Sequence, residues 1–118
     1  MTIPRFAGEP YHSDVADLLL GRHLLGKDAW LAIKEQEIAE IHANPNHPPH
    51  RVDWMLERLE QQKKAIRNAP LEAWVDKLGR VEMWLREYDL TAIDRIRNHT
   101  ITWDEVERIA LKYDSNHI

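Results

Sequence analysis

The chain has 118 residues, a net charge of -4, no cysteine and only 4 glycines. This length suits a single domain, and an apolar share of 43% is enough to build a buried core. Without cysteine there is no disulfide, no thiolate metal site and no cysteine nucleophile. Both signs of charge are mixed along the chain, which argues against a broad phosphate-binding surface. Few glycines and many charged residues favour an all-α fold.

The amino-terminal residues predict an extended arm. Two prolines and a glycine keep residues 1–11 from forming a helix, and Phe6 and Tyr11 are apolar anchors along them. The start MTIPRFAGEP lacks the apolar centre of a signal peptide, and no apolar run is long enough to span a membrane. We therefore expect a cytoplasmic protein without a membrane partner. It should form one domain over 1–118, with the arm followed by a bundle over 12–114.

Helix signals divide the bundle into five or six helices. Ser13 is a predicted N-cap of a first helix that runs to Leu25, with Gly26 as its C-terminal glycine. Asp28 should cap a second helix over 29–43. After a proline-rich loop, the remaining helices are predicted from Pro49 to Asn68, from Pro70 to Tyr88, over 91–98, and from an N-cap at Thr102 with Glu105 at its third position.

The helix that begins near Pro70 has the clearest pattern. Its apolar residues alternate in steps of three and four, which predicts a core-facing stripe made by Leu71, Trp74, Leu78, Val81, Leu85 and Tyr88. Trp84 lies beside this stripe and Met83 lies farther round. Five tryptophans are many for a domain of this size. Large apolar groups beyond the needs of one core mark a partner surface, although a helix buried on all sides in a compact bundle explains them equally well.

Three kinds of chemical site can be weighed from the residues. His42, His47 and His50 lie close in sequence and, with Glu37 or Glu40, could bind zinc, but their spacing matches no zinc motif, so we expect no metal and no cofactor. Carboxylate pairs three residues apart, as in Glu37–Glu40 and Glu57–Glu60, suit a magnesium-dependent nucleotide pyrophosphatase. Chance alone gives about three such pairs in a chain this acidic, and the chain has four, counting Asp14–Asp17 and Asp104–Glu107. Solvated helix faces are the simpler interpretation.

The last two helices could also form a DNA-binding helix-turn-helix. The second of them would then read the bases, yet it carries Asp104, Glu105 and Glu107 near its start. Negative charges there repel the phosphate backbone, so we expect no nucleic-acid partner.

Residues 6–41 resemble the N-terminal helical region of nitrile hydratase β subunits and of the small accessory proteins related to them. The likeness consists of an aromatic residue, a Glu-Pro-aromatic motif, an apolar helix, a glycine, a tryptophan and a second helix. The matching residues are Phe6, Glu9, Pro10, Tyr11, Leu18, Leu19, Gly26, Trp30, Ile38 and Ile41. The resemblance implies a helical arm that embraces a metal-bearing α subunit or helps to assemble it.

Departures from the family favour an accessory role. Catalytic β subunits place an arginine just after the position of Trp30, where it bonds the metal-bound cysteines, and this chain has Lys34 there. The family's tyrosine pair before its next tryptophan is missing at Trp54 and Trp74, and we expect no small β-barrel after the helices.

The sequence therefore predicts a small helical subunit or assembly protein of a nitrile-hydratase-like metalloenzyme, which is not catalytic alone. Its partner would be a cysteine-rich, metal-bearing α subunit or a second copy of the chain. A stand-alone regulatory or inhibitory module remains an alternative, and a magnesium-dependent pyrophosphatase a lesser one. The expected partner-binding residues are Phe6, Glu9, Pro10, Tyr11, Trp30, Lys34, Met83 and Trp84.

Overall fold

A computed structural model describes residues 13–44, 46 and 48–116, and these residues form helices without any strand. The predicted all-α class is confirmed. Six α-helices occur, with a short 3₁₀ segment at Arg22–Leu25 between the first and the second. They are α1 at Asp14–Leu19, α2 at Lys27–Ala43, α3 at Pro49–Asn68, α4 at Leu71–Tyr88, α5 at Leu90–Arg97 and α6 at Trp103–Asn116. No helix of the described part is both long and apolar enough to cross a bilayer.

Local signals explain most helix boundaries. The Ser13 hydroxyl accepts a hydrogen bond from the Val15 amide at 3.1 Å, as an N-cap should. The Thr102 hydroxyl likewise accepts one from the Glu105 amide at 3.3 Å and so caps α6. Pro49 opens α3, where its missing N–H costs nothing.

The first two helices differ from the prediction. The α1 helix stops at Leu19 rather than at Leu25, because Gly21 adopts a left-handed backbone with φ of 74°. A 3₁₀ segment then carries the chain to Gly26. This glycine, with φ of 95° and ψ of 157°, is the N-cap of α2, so Asp28 lies in the first turn instead of capping it.

The core consists of three apolar clusters that share helices. The largest joins α1, α4, α5 and α6 around Val81, Leu85, Val106 and Ile109, and we call it the α6 cluster. The tryptophan cluster joins Leu18, Trp30, Ile66 and Trp74, and the α2–α3 cluster joins Ile41, Met55 and Leu59. Leu78 of α4 packs against both of the first two clusters and so links them.

Candidate functional site

Four charged side chains and one tryptophan meet where α1, the 3₁₀ segment and α2 come together. Lys34 Nζ is fully buried and lies 2.5 Å from Asp17 Oδ2 and 3.2 Å from Glu37 Oε1. Arg22 Nη1 lies 2.6 Å from Asp17 Oδ1 and 3.3 Å from Glu37 Oε1. Trp30 Nε1 donates a hydrogen bond to Asp17 Oδ2 at 3.1 Å. We call these five residues the charge cluster.

The charge cluster forms because the buried face of α2 carries charged as well as apolar residues. The buried residues of α2 are Trp30, Lys34, Glu37 and Ile41, which follow one another in steps of four, three and four. That spacing places them on one side of a helix. Asp17 lies on α1, is 1% exposed, and contacts Trp30 and Lys34 of this face. The inward face of α2 is therefore half apolar and half charged.

The electrostatics of this group favour a structural role. Two cations face two carboxylates, so the buried charges balance, as they must where water is excluded. Burial raises the pKa of Glu37 above its ordinary value, and the positive charge of Lys34 opposes part of that effect. Lys34 Nζ lies within ion-pair distance of both carboxylates, whereas Glu37 Oε2 has no hydrogen-bond partner among the described residues. The cluster connects α1, the 3₁₀ segment and α2.

This arrangement corrects two expectations from the sequence. Trp30 and Lys34 were expected at a partner contact, yet they are 2% and 0% exposed inside the chain's own core. The acidic pairs were expected on solvated faces, and Glu40, Glu57 and Glu60 are exposed. Asp17 and Glu37 are instead buried, and each is paired with Lys34 and Arg22.

An exposed apolar row runs along the outer side of α4. Leu71, Val75 and Met83 are 48%, 47% and 70% exposed, and with Gly79 between the last two they are spaced four residues apart. Residues at that spacing lie on one helix face. Leu24 and Leu25 of the 3₁₀ segment, which packs against α4, are 64% and 58% exposed. We call Leu71, Val75, Gly79 and Met83 the α4 row.

Met83 and Trp84 differ in their surroundings. Met83 is open to solvent, as its place away from the predicted stripe suggested. Trp84 is partly buried against the α6 cluster, with its ring stacked on Tyr88 at 4.7 Å and edge-on to Tyr113 at 5.4 Å between centroids. Leu71 and Tyr88 were predicted in the core, but these residues at the two ends of α4 are 48% and 38% exposed.

The other candidate residues are dispersed or lie outside the described part of the chain. His42 and His50 are exposed at the ends of α2 and α3, and His47 is not among the described residues. Within the part that the structure describes, no three histidine or carboxylate side chains are placed to hold a metal ion. The arm residues Phe6, Glu9, Pro10 and Tyr11 also fall outside the described range.

Two features escaped the sequence reasoning. On α2, the charged residues Lys34 and Glu37 lie on the same buried face as the apolar residues Trp30 and Ile41. The helical spacing alone, taken without regard to polarity, places Lys34 and Glu37 on this face. Their opposite charges three residues apart are a second signal. Val75 and Met83 could have been seen as apolar residues outside the predicted stripe, whereas Leu71 belongs to that stripe.

Comparison of the chain with protein-family models, with characterised proteins and with solved structures finds no match.

Proposed function

We propose that this chain is a small helical subunit or assembly protein of a nitrile-hydratase-like metalloenzyme, and that it acts by binding a cysteine-rich α subunit. The resemblance of residues 6–41 to nitrile hydratase β subunits implies this partner. One structural observation supports binding: the α4 row and the neighbouring Leu24 and Leu25 leave large apolar side chains in water on adjoining elements.

The energetics of the α4 row suit a partner contact. Apolar surface is stabilised by about 25 cal/mol for every Å² removed from water, so a second protein gains by covering these residues. Met83 adapts to irregular surfaces because its side chain is unbranched and flexible. Glu72, Asp76 and Arg80 flank the row on exposed positions and provide a polar rim of the kind that surrounds apolar interface centres.

Burial of Lys34 supports an accessory role over a catalytic one. The resemblance places at this position an arginine that reaches the metal-bound cysteines of the α subunit. Lys34 is instead fully buried and held by Asp17 and Glu37, so it is not available for that contact.

The proposal can be tested by sedimentation velocity with a cysteine-rich α subunit whose reading frame neighbours that of this chain. We expect a complex with the unaltered chain and its loss in a Val75→Asp, Met83→Asp double variant, because each carboxylate must be desolvated at the contact. The matched control is Leu90→Asp with Leu111→Asp, which changes two exposed leucines on α5 and α6 that are 63% and 46% exposed. The control should bind normally.

The outcomes separate the proposed role from its alternative. Failure of the unaltered chain to bind any such α subunit would reject the nitrile-hydratase assignment and favour a regulatory module with an unrelated target. Equal loss of binding in both double variants would show that the α4 row is not the contact.

The arm provides a second, independent test. Phe6 and Tyr11 are predicted to anchor the arm on a partner, and aromatic anchors at interfaces contribute about 2 kcal/mol or more each. A Phe6→Ala, Tyr11→Ala double variant should therefore lose association while its helix content by circular dichroism stays nearly unchanged. Unfolding of this variant would instead assign the arm to the chain's own core.

A further inference from the structure

We propose that the α4 row of the free chain binds the α4 row of a second copy, with the two helices antiparallel and crossing at Gly79. This pairing adds a form of regulation to the proposed function and rests on it in one respect, because the α subunit and the second copy need the same surface. The α subunit therefore has to displace the second copy before it can bind.

The α4 row is symmetrical about Gly79. Val75 lies four residues before this glycine and Met83 four residues after it, so the two exposed side chains lie about 6 Å to either side of Gly79 along the helix. In an antiparallel pair that crosses at Gly79, Val75 of each copy comes level with Met83 of the other. Both copies then use the same patch, as a closed two-fold dimer requires.

Gly79 leaves room for a second helix at the crossing point. It lies inside α4, and a Cβ added there would meet nothing within 4 Å, so the chain's own packing does not require a glycine. A glycine inside a helix costs stability through backbone entropy. Packed helices have axes about 8–10 Å apart, and a residue without a side chain lets a second backbone take the short end of that range. Close approach of a second α4 gives this glycine a function.

The charges of Glu72 and Arg86 select the antiparallel orientation. They lie seven residues before and after Gly79, so all three fall nearly on one line along the exposed side of α4. Neither charged group has an ion-pair partner within the part of the chain that the structure describes. An antiparallel pair brings Glu72 of each copy level with Arg86 of the other, whereas a parallel pair would set like charges against each other. Charge complementarity of this kind fixes the register of an interface.

Exchange of the two charges tests this register. Glu72→Arg and Arg86→Glu each place two like-charged pairs in the dimer, so we expect each variant to self-associate about tenfold more weakly than the unaltered chain. An equimolar mixture of the two variants regains both opposite-charge pairs and should associate about as tightly as the unaltered chain. Sedimentation velocity of the chain without any α subunit, up to about 1 mM, measures these differences. Lys64→Glu, at an exposed position of α3, is the control and should not change association.

Introduced thiols give an independent measurement, because the chain has no cysteine of its own. In the proposed dimer the two thiols of Gly79→Cys meet at the crossing point. Those of Val75→Cys lie about 12 Å apart along the helices, beyond the Cα separation of about 7 Å that a disulfide can bridge. Under mild oxidation we therefore expect a linked dimer of Gly79→Cys and little of Val75→Cys. Random collision would give the opposite order, since Val75 is more exposed than Gly79.

Three results would overturn the pairing: an unaltered chain that stays monomeric at about 1 mM, a mixture of the charge variants that associates no better than either alone, and faster linkage of Val75→Cys than of Gly79→Cys. All three use the chain alone, so they do not depend on the α subunit. A dimer that persists in the complex with the α subunit would overturn the competition. A confirmed dimer that binds no α subunit would instead reject the proposed function and leave the antiparallel pairing in place.

Discussion

Lys34 carries its charge where water does not reach it. The ammonium group is balanced by Asp17 and Glu37, and Arg22 shares the same two carboxylates. A buried pair of this kind contributes little net stability compared with apolar packing, but removal of one partner leaves the others uncompensated. At the scale of residues, the stability of this cluster therefore depends on whether each buried charge keeps its partner.

We expect Lys34→Met to lower the free energy of unfolding by about 3–5 kcal/mol, because two buried carboxylates then share Arg22 alone. Urea unfolding followed by circular dichroism measures the change. Lys64→Met, on an exposed position of α3, is the control and should change stability by less than about 0.5 kcal/mol. Adding Asp17→Asn to Lys34→Met should cost less than the sum of the two single changes, and strict additivity would show that the two groups do not interact.

Glu37 should make the protein less stable as pH rises. Burial raises its pKa above the ordinary value of 4.5, so just above that pH the folded state holds a proton that the unfolded state has released. Folding then takes up a proton, and the free energy of unfolding falls as pH increases through the raised pKa.

A Glu37→Gln variant isolates this contribution. The unfolding free energy of the unaltered chain minus that of Glu37→Gln should decrease with pH above about 4.5, when both are measured by urea titration at a series of pH values. A difference that grows with pH would mean that the positive charges near Glu37 affect its pKa more than burial does.

At the scale of the helices, α4 does two things at once. Its inner side supplies Trp74, Val81 and Leu85 to the core, and its outer side carries the α4 row. Gly79 lies in that row within the helix, and a Cβ added there would meet nothing within 4 Å. A glycine in a helix interior costs stability for reasons of backbone entropy.

Gly79→Ala should therefore stabilise the free chain by about 0.5–1 kcal/mol. Gly26→Ala is the contrasting variant, because φ of 95° at this N-cap strains any residue with a Cβ, and we expect a loss of about 1–3 kcal/mol. Thermal and urea unfolding of both variants measure these shifts. A destabilising Gly79→Ala would contradict the open surface on this side of α4.

At the scale of the whole molecule, the fold depends on contacts that join clusters. The α6 cluster and the tryptophan cluster share Leu78 as a packing neighbour, and Trp30 meets Trp74 edge-on at 5.0 Å between centroids. Polar contacts also join helices far apart in sequence: Ser13 Oγ donates to Asp114 Oδ2 at 3.0 Å, and Lys77 Nζ donates to Asp14 Oδ2 at 2.9 Å. Cooperative unfolding is expected from such shared neighbours.

Leu78→Ala tests this linkage and should cost about 2–5 kcal/mol, as large-to-small changes in cores do. Unfolding should be followed both by tryptophan fluorescence and by circular dichroism, and the two transitions should coincide in the unaltered chain. Leu111→Ala, which is 46% exposed on α6, serves as the control. A loss under about 0.5 kcal/mol for Leu78→Ala would mean that the clusters are held together elsewhere.

The sequence by itself determined the helical class, the limits of α3 and the caps at Ser13 and Thr102. These features depend on residues within one or two turns of each other, so the local sequence encodes them. The pattern of α4 also located Trp74, Val81 and Leu85 in the core, but it wrongly placed the exposed Leu71 and Tyr88 there. The role of residues 6–41 rests on resemblance alone and remains a proposal.

Only the tertiary structure decided which polar residues are buried and which apolar residues are exposed. Lys34 and Glu37 have the sequence signature of a solvated helix pair, and the ion pair of Lys34 with Asp17 joins two different helices. Leu71 and Met83 have the composition of core residues, yet no neighbouring helix of the described chain covers them. Burial depends on what lies opposite a helix face, and that information is distributed among segments remote in sequence.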